Sequence, residues 1–546
     1  MIADIRITEK SFGPKNLYSD VTFSVDDREK VGVIGRNGVG KSTLFGIMAG
    51  TDTDFTGEII FKRGVSVVAT AQEHGEVAAD TTVLQYILAG LPEYSELSHV
   101  METYPMTMGD DMRMIDTYTT ALQRFDDKGF YRIEELVERE LDTFQLVGVA
   151  HRPFVTLSGG QKRLVEVVKV MHADADLALL DEPTNHMDYV AKNQFVDWLS
   201  EAREAMLIIT HDRDVLKHVD RIIEIKDGKS VSFKGNYDAY LKQNAVSTGT
   251  AMNDFAMVEK RIENLKTKVL DYQRLKEKAR NPATIQKFKR LENVSRKELA
   301  ELQALEKPTF WIDKASVENL NYKVGAQYDK FKAKNIRVNV RTSESRSSRV
   351  LIRADNVSLG YKAPLFEGIK IDLREGEAAE LRGRNGAGKT TLIKALLGDT
   401  APTFYAGTLE LDPQVRVGQY EQEPASQYTA LPLGEAIERM HLDRDLPITP
   451  TKVRQLMSDY LFNEGDGLVP LSRLSGGQKA RFQLITMLAG DPGLLVLDEP
   501  TNHLDLPSIE ELENALQRYA GAILYVSHDS YFRDAIGGEA IMVGSD

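Results

Sequence analysis

LSGGQ at residues 157–161 and LALLDEPTNHMD at 177–188 are the stretch on which the reading of this chain turns. The pair returns as LSGGQ at 474–478 and LLVLDEPTNHLD at 494–505. In each, a Ser-Gly-Gly-Gln turn (Ser158, Gly159, Gly160, Gln161; Ser475, Gly476, Gly477, Gln478) offers backbone N–H groups and a helix N-terminus to a terminal phosphate. The apolar run that follows reads as a buried strand ending in Asp181–Glu182 or Asp498–Glu499. The Asp suits a Mg²⁺ ion at the phosphates, and the adjacent Glu suits polarisation of an attacking water.

Such turns need a phosphate cradle, and two are present: GRNGVGKS at 35–42 and GRNGAGKT at 383–390. VGVIG at 31–35 predicts a buried strand entering the first loop, and 41–48 predicts the helix leaving it. Gly35, Asn37, Gly38, Gly40, Lys41, Ser42 and Thr43 are nucleotide-binding candidates in the first copy. Gly383, Asn385, Gly386, Gly388, Lys389, Thr390 and Thr391 match them in the second. Lys41 and Lys389 can reach the β/γ-phosphates, while the Ser42 and Thr390 hydroxyls can bind Mg²⁺. A single glycine turn can be fortuitous; two with matching downstream partners are not.

The offsets between copies define the organisation. Lys41 and Lys389 lie 348 residues apart, and Gln72 and Gln422 lie 350 apart. Ser158–Ser475, Glu182–Glu499 and His211–His528 are each separated by 317. The first copy therefore carries about 33 extra residues between its glutamine and its LSGGQ. The expected domains are 1–241 with an insertion near 93–130, a helical linker over 242–349, and 350–546. The fold class is α/β, with two P-loop domains joined by an αα-hairpin. No extension beyond Asp546 is expected.

Further candidates gain weight from the repeat. His211 in ITHD and His528 in VSHD end apolar strands, where open α/β sheets place ligands, and are expected to contact the γ-phosphate. Gln72 and Gln422 follow strands and are placed for Mg²⁺ or the attacking water. Phe12 and Tyr361 precede the two P-loops and read either as adenine-stacking rings or as partly buried core aromatics. One copy has no route for its own Ser-Gly-Gly-Gln turn to reach its own P-loop. Head-to-tail pairing solves this by placing each ATP between one P-loop and the other copy's LSGGQ.

Composition excludes several classes. The chain has no cysteine, so disulfides and thiolate metal sites are ruled out. No apolar run of about eighteen residues occurs, and MIADIRITEK at the start lacks a signal-peptide core, which fits a cytoplasmic protein. The net charge of −14 conceals a basic centre: residues 251–350 hold 23 Lys and Arg against 13 Asp and Glu. That segment is the one suited to a polyanion.

The insertion is different. Residues 93–130 contain 8 acidic against 3 basic side chains and five methionines between 101 and 114. Helices are predicted over 94–102 and 112–125. The pair reads either as a surface for a basic protein or as a solvated hairpin with the methionines as its own small core. In the linker, Val258, Ile262, Leu265, Val269 and Tyr272, then Ile285, Phe288, Leu291, Val294 and Leu299, predict the apolar seam of a hairpin turning near 279–284. Arg274, Lys276, Lys278, Arg280, Lys287, Lys289 and Arg290 crowd that end. They read as a phosphate-contacting tip or, alternatively, as a solvated face. A further helix is predicted over 314–331, and SESRSSR (343–349) leads into the second copy.

With both motif sets complete and a charged hairpin between them, the whole chain resembles the ABC-F family of ATP-binding cassette ATPases. The resemblance implies an ATP sandwich, ATP and Mg²⁺ as ligands, and a monomer closed by its own cassettes. It assigns Glu182, His211, Glu499 and His528 to catalysis and Ser42, Gln72, Asp181, Thr390, Gln422 and Asp498 to the metal. It further implies that Arg274, Lys278, Arg280, Lys287, Lys289 and Arg290 face rRNA or tRNA in the ribosome's tRNA exit site, and that 93–130 faces the L1 stalk. Rival readings are ribosome protection against antibiotics, an ATPase acting on DNA or its repair, and a transporter subunit. The first copy departs from the family pattern at Met187, at Thr210, and in Asp-Arg-Asp after His211, where the second copy keeps Tyr531 and Phe532. These departures imply unequal rates at the two sites. The short hairpin tip weighs against the resistance reading.

Overall fold

The computed structural model describes residues 1–13, 15–71, 77–107, 109–185, 187–303, 334–342, 349–421 and 424–544, without the side chains of Phe12 and Lys15. Gln72, Gln422, the Phe12 ring, the 314–331 segment and residues 343–348 therefore lie outside the described residues. The chain divides into two compact units, Met1–Tyr237 with Ile336–Asp546, and Asp238–Asn335.

In the first unit the apolar runs become parallel strands. The first copy's sheet runs from edge to edge as Lys229–Lys234, Arg221–Lys226, Lys30–Gly35, Ala205–Ile209, Leu177–Asp181 and Val67–Ala69. All its pairings are parallel except the hairpin at the first edge. The second copy repeats the order with Glu539–Met542, Ala378–Arg382, Ala522–Val526, Leu494–Asp498 and Val417–Tyr420. Leu177–Asp181, Ala205–Ile209, Leu494–Asp498 and Ala522–Val526 are buried at every position, as unbroken apolar runs require when both faces are covered. Each copy adds an antiparallel sheet, built around Ala3–Phe12 in the first and Val350–Gly360 in the second. The consequence for function is topological: the P-loop, the Asp-Glu pair and the histidine all leave the C-terminal ends of adjacent strands.

The insertion folds as helices Tyr94–Thr107 and Met112–Asp127, each longer at its C-terminal end than the sequence predicts. Its base is aromatic. Phe125 packs on Phe130 and Tyr131 at ring-centroid distances of 5.4 and 5.0 Å, and Tyr94 packs on Phe130 at 5.1 Å. Met106 and Met112 are 89% and 75% exposed. Aromatic rings bury more area per residue, so they form the base, while Met101 and Met114 are half-buried.

The second unit contains most of helix Tyr237–Lys278 and helix Pro282–Gln303. The first helix is 42 residues long, about 63 Å at 1.5 Å per residue. Asn281 starts the return by accepting the Ala283 N–H on its side chain at 2.9 Å. Leu265, Val269 and Met252 are buried, and Tyr272 stacks on Phe288 at 6.5 Å. The seam expected on the second helix is corrected: Leu291 and Val294 are exposed, while Glu292 and Ser295 are buried. A 3-4 alternation from Ile285 and Phe288 reaches 292, 295 and 299, so the two aliphatics flank the seam. Glu292 is tolerated inside because Lys276 and Arg296 pair with it at 2.6 and 3.0 Å. Lys276 is thereby removed from the basic tip. Arg274, Lys278, Arg280, Lys287, Lys289 and Arg290 are exposed, and none has an ion-pair partner among the described residues. Among those residues no helix is long and apolar enough to cross a membrane.

Candidate nucleotide sites

Each phosphate cradle is built by glycines at positions a side chain could not occupy. Gly40 and Gly388 stand just before helices Lys41–Met48 and Lys389–Leu396 with φ of 102° and 98°. A Cβ on Gly40 would meet Leu17 and the Tyr18 hydroxyl, and one on Gly388 would meet the Phe366 ring. The lysines that open these helices fold back into their own loops. Lys41 Nζ donates to the Gly35 and Arg36 carbonyls at 2.7 and 3.2 Å, and Lys389 Nζ donates to those of Gly383 and Arg384 at 2.6 and 2.9 Å. Burial lowers both ammonium pKa values, against the pull of Glu182 and Glu499 respectively. An anion at the helix N-terminus would relieve that cost.

Glu182 and Glu499 sit just past their strands in the left-handed region, with φ of 48° and 51°. For a residue other than glycine this costs on the order of 1–3 kcal/mol. The conformation is held by backbone bonds to the next strand, from Glu182 N–H to Ile209 O at 2.8 Å and from Glu499 N–H to Val526 O at 3.0 Å. It brings each carboxylate beside the histidine ending that strand. His211 Nε2 lies 3.7 Å from Glu182 Oε1, and His528 Nε2 lies 3.3 Å from Glu499 Oε1. The His528 N–H also donates to Glu499 Oε2 at 3.2 Å. Burial pushes Glu499 up to about 7, partly offset by that N–H and by Lys389. It also pushes Glu182 well above the usual carboxylate range. Burial lowers both histidines, His528 to about 4 with Lys389 adding to the effect, so each imidazole is neutral at pH 7. Neither ring nitrogen of His211 has a hydrogen-bond partner among the described residues, so the site can still accept polar contacts.

The Ser-Gly-Gly-Gln turns form full capping boxes. Ser158 caps helix Gly159–Met171 through the Gln161 N–H while Gln161 returns to the Ser158 N–H, and Ser475 and Gln478 do the same for Gly476–Leu488. A cavity of about 570 Å³ joins Ser158, Gly160 and Gln161 of the first copy to Gly386, Gly388, Lys389, Thr390, Asp498, Glu499 and His528 of the second. On the other side the second copy's turn meets the first copy's P-loop. A Cβ on Gly477 would lie 2.2 Å from Asn37 Nδ2, and that amide donates to the His503 carbonyl at 2.8 Å. Tyr361, read from sequence as an adenine-stacking ring or a partly buried core aromatic, is half exposed, and its carbonyl accepts the Tyr405 hydroxyl at 3.1 Å.

Comparison with known proteins bears on the same elements. A model of the ABC transporter family matches residues 18–185 and again 366–502. The chain is 32% identical to Putative ATP-binding protein YdiF of Bacillus subtilis, aligned over 100% of this chain and 80% of that protein. It is 28% identical to Energy-dependent translational throttle protein EttA of Mycobacterium tuberculosis over 98% of this chain and 89% of that one. ABC transporter F family member 5 of Arabidopsis thaliana is also 28% identical, over 98% of this chain and 74% of its own length. The chain belongs to the ABC-F family.

This ABC-F protein is accordingly a nucleotide-binding ATP hydrolase. Its twin-cassette fold is also that of RNase-L Inhibitor, with TM-score 0.56 and 17% identity over 98% of this chain and 87% of that one. A second example is the archaeal recycling factor aABCE1 in its complex with stalk protein aP1, with TM-score 0.54 and 17% identity over 96% and 85%.

Sequence reasoning missed the residues by which the ABC-F cassettes touch. Asp188 Oδ2 accepts the Asn385 N–H of the opposite P-loop at 2.9 Å, and Asp505 Oδ2 accepts the Asn37 N–H at 3.3 Å. Both aspartates also cap helices, Tyr189–Glu201 and Leu506–Gln517, which hides the distant contact behind a local role. The first copy's Asp-Arg-Asp departure also forms cross-cassette contacts. Arg213 donates to Glu513 and to Asp529, the latter at 3.0 Å, and its guanidinium lies 4.5 Å over the Tyr531 ring. The signal was present as a charge inserted where the repeat has a serine.

For a divalent cation the donor set fits. Thr390 Oγ1 donates to Asp498 Oδ2 at 3.0 Å, a hydroxyl and a carboxylate converging beside the P-loop. Among the described residues no cluster of three or more acidic, histidine or cysteine side chains could hold a metal. Mg²⁺ is commonly held by one or two protein oxygens, substrate phosphates and water, and this hydroxyl–carboxylate pair would supply the protein oxygens.

Proposed function

We propose that this protein is a cytoplasmic ATPase that binds the ribosome and acts on translation, using ATP-dependent closure to bind and hydrolysis to release. The observation that carries the reading is the basic hairpin end. Six exposed cations, Arg274, Lys278, Arg280, Lys287, Lys289 and Arg290, crowd one turn of an otherwise acidic chain. Exposed cations clustered at a hairpin turn, without ion-pair partners among the described residues, suit an RNA backbone. The similarity to a protein named a translational throttle, over nearly the full length of this chain, supports an action on translation. The tip is assigned to rRNA or tRNA at the tRNA exit site, and the acidic insertion to a protein surface such as that of the L1 stalk. The working form is a monomer whose cassettes, 1–241 and 350–546, pair with each other and are joined by the 242–349 linker.

In each composite site the P-loop lysine holds the phosphates and the opposite Ser-Gly-Gly-Gln turn caps the terminal one. Ser42 with Asp181, and Thr390 with Asp498, would hold Mg²⁺ together with Gln72 and Gln422, and the ion would supply charge neutralisation at the phosphates. Glu182 and Glu499 accept a proton from the attacking water, and His211 and His528 position the terminal phosphate. Ribosome co-sedimentation of Glu182→Gln/Glu499→Gln tests the reading. ATP should drive the variant onto ribosomes, and neutralising Lys287, Lys289 and Arg290 should remove it. A variant that binds ATP yet stays in the supernatant would sink the ribosome assignment and leave DNA as the next polyanion.

A further inference from the structure

One buried cation belongs to neither nucleotide motif. Lys192 lies one turn into helix Tyr189–Glu201 and is 5% exposed. Its ammonium sits 2.9 Å from Asp212 and 2.7 Å from Asp214, the two acids that follow His211. The same Nζ donates across the cassette boundary to the His528 carbonyl at 3.0 Å. Asp214 is tied to the second copy independently, accepting from Ser530 Oγ at 2.5 Å. One lysine thus connects the loop after one histidine to the backbone of the other.

The repeat shows that this arrangement is one-sided. At the 317-residue offset Lys192 corresponds to Ile509, Arg213 to Ser530, and Asp214 to Tyr531. Ile509 is buried on helix Leu506–Gln517 and has no donor to offer a carbonyl. The helix of Lys192 meets the second P-loop through Asp188 as well, so it touches the Lys389–Glu499–His528 site at two points. Lys192 also lines the cavity shared by that site and the first copy's Ser-Gly-Gly-Gln turn.

We propose that Lys192 is a positioning residue acting in trans on the second site. Its ammonium anchors the His528 carbonyl, holds the imidazole against Glu499, and links that geometry to the loop of His211. The site of Lys41, Glu182 and His211 has no such anchor, so the two hydrolysis rates differ. This rests on the reading of Glu499 and His528 as the catalytic pair.

The test is ATP turnover of Lys192→Met and Lys192→Arg in two backgrounds: Glu182→Gln, where turnover reads the second site, and Glu499→Gln, where it reads the first. Lys192→Met should lower kcat about tenfold in the Glu182→Gln background, with KM for ATP held within about twofold. The loss should be at least about fivefold smaller in the Glu499→Gln background, and Lys192→Arg should restore most of it. Equal losses in both backgrounds, or no rescue by arginine, would overturn the proposal. Lys192→Met/Asp214→Asn, which strands one carboxylate fewer, must show the same background dependence. Histidine-selective NMR gives a readout independent of turnover: the His528 ring signal should move in Lys192→Met and return in Lys192→Arg, and a fixed signal refutes the anchor. If neither Glu→Gln change lowers turnover of the otherwise unaltered protein, the catalytic assignment itself fails and the Lys192 role falls with it.

Discussion

Glu182 and Glu499 concentrate the residue-scale argument, because each is a left-handed carboxylate, half-buried in Glu182 and buried in Glu499, that a glycine would replace without backbone strain. The backbone strain is a cost to stability, and the proposed role in proton transfer is what would offset it. Glu499→Gly should abolish turnover at the second site while leaving the thermal midpoint of the nucleotide-free protein equal to or above that of Glu499→Gln. A Glu499→Gly midpoint several degrees below that of Glu499→Gln would show that the carboxylate position is structural. The lysines, acids and histidines of both sites were legible because spacing along the chain fixes them to loops and strand ends. Asp188 and Asp505 were not. An aspartate before a helix is fully explained as a cap, and nothing local announces that its second oxygen serves an N–H nearly two hundred residues away, or over four hundred.

Among the elements, the hairpin separates what holds it together from what it presents. Leu265 of the first helix is buried, and its truncation to alanine should cost about 2–5 kcal/mol. That loss should appear as faster amide hydrogen exchange in Tyr237–Lys278 and leave the cassette strands protected. Neutralising Lys287, Lys289 and Arg290 should instead leave exchange unchanged, since these side chains are exposed. If it speeds exchange throughout the hairpin, the tip cations are structural and their assignment to a polyanion weakens. Sequence spacing placed the turn correctly through Asn281–Pro282, where the cap and proline chemistry are local. It misplaced the second helix's seam, because Leu291 and Val294 look more buriable than Glu292 and Ser295. Only the partner helix supplies Lys276, which makes a buried glutamate acceptable. The insertion shows the same limit: methionine content drew attention, while the base is set by Tyr94, Phe125 and Phe130.

At the scale of the whole molecule the duplication accounts for most of the fold, and its broken symmetry accounts for how the copies adhere. Arg213 stands where the repeat has Ser530, and Glu513 stands where it has Val196, so the ion pair between them has no mirror image. Both side chains are about nine-tenths buried, and Asp529 shares the guanidinium. Breaking a buried pair by removing one partner strands the other charge, at a cost of about 3–5 kcal/mol. Arg213→Ala should therefore lower the urea midpoint of the cassette unit sharply, while Arg213→Met/Glu513→Leu should recover much of the loss. Asp529 tolerates the exchange because its other oxygen already accepts the Tyr531 and Phe532 N–H groups. Burial also shields the pair from counterions, so raising salt from 0.1 to about 0.5 M should change the wild-type midpoint far less than Arg213→Ala does. If the double variant is as unstable as the single one, the guanidinium acts through its packing on the Tyr531 ring, and charge pairing is not what fastens the two copies.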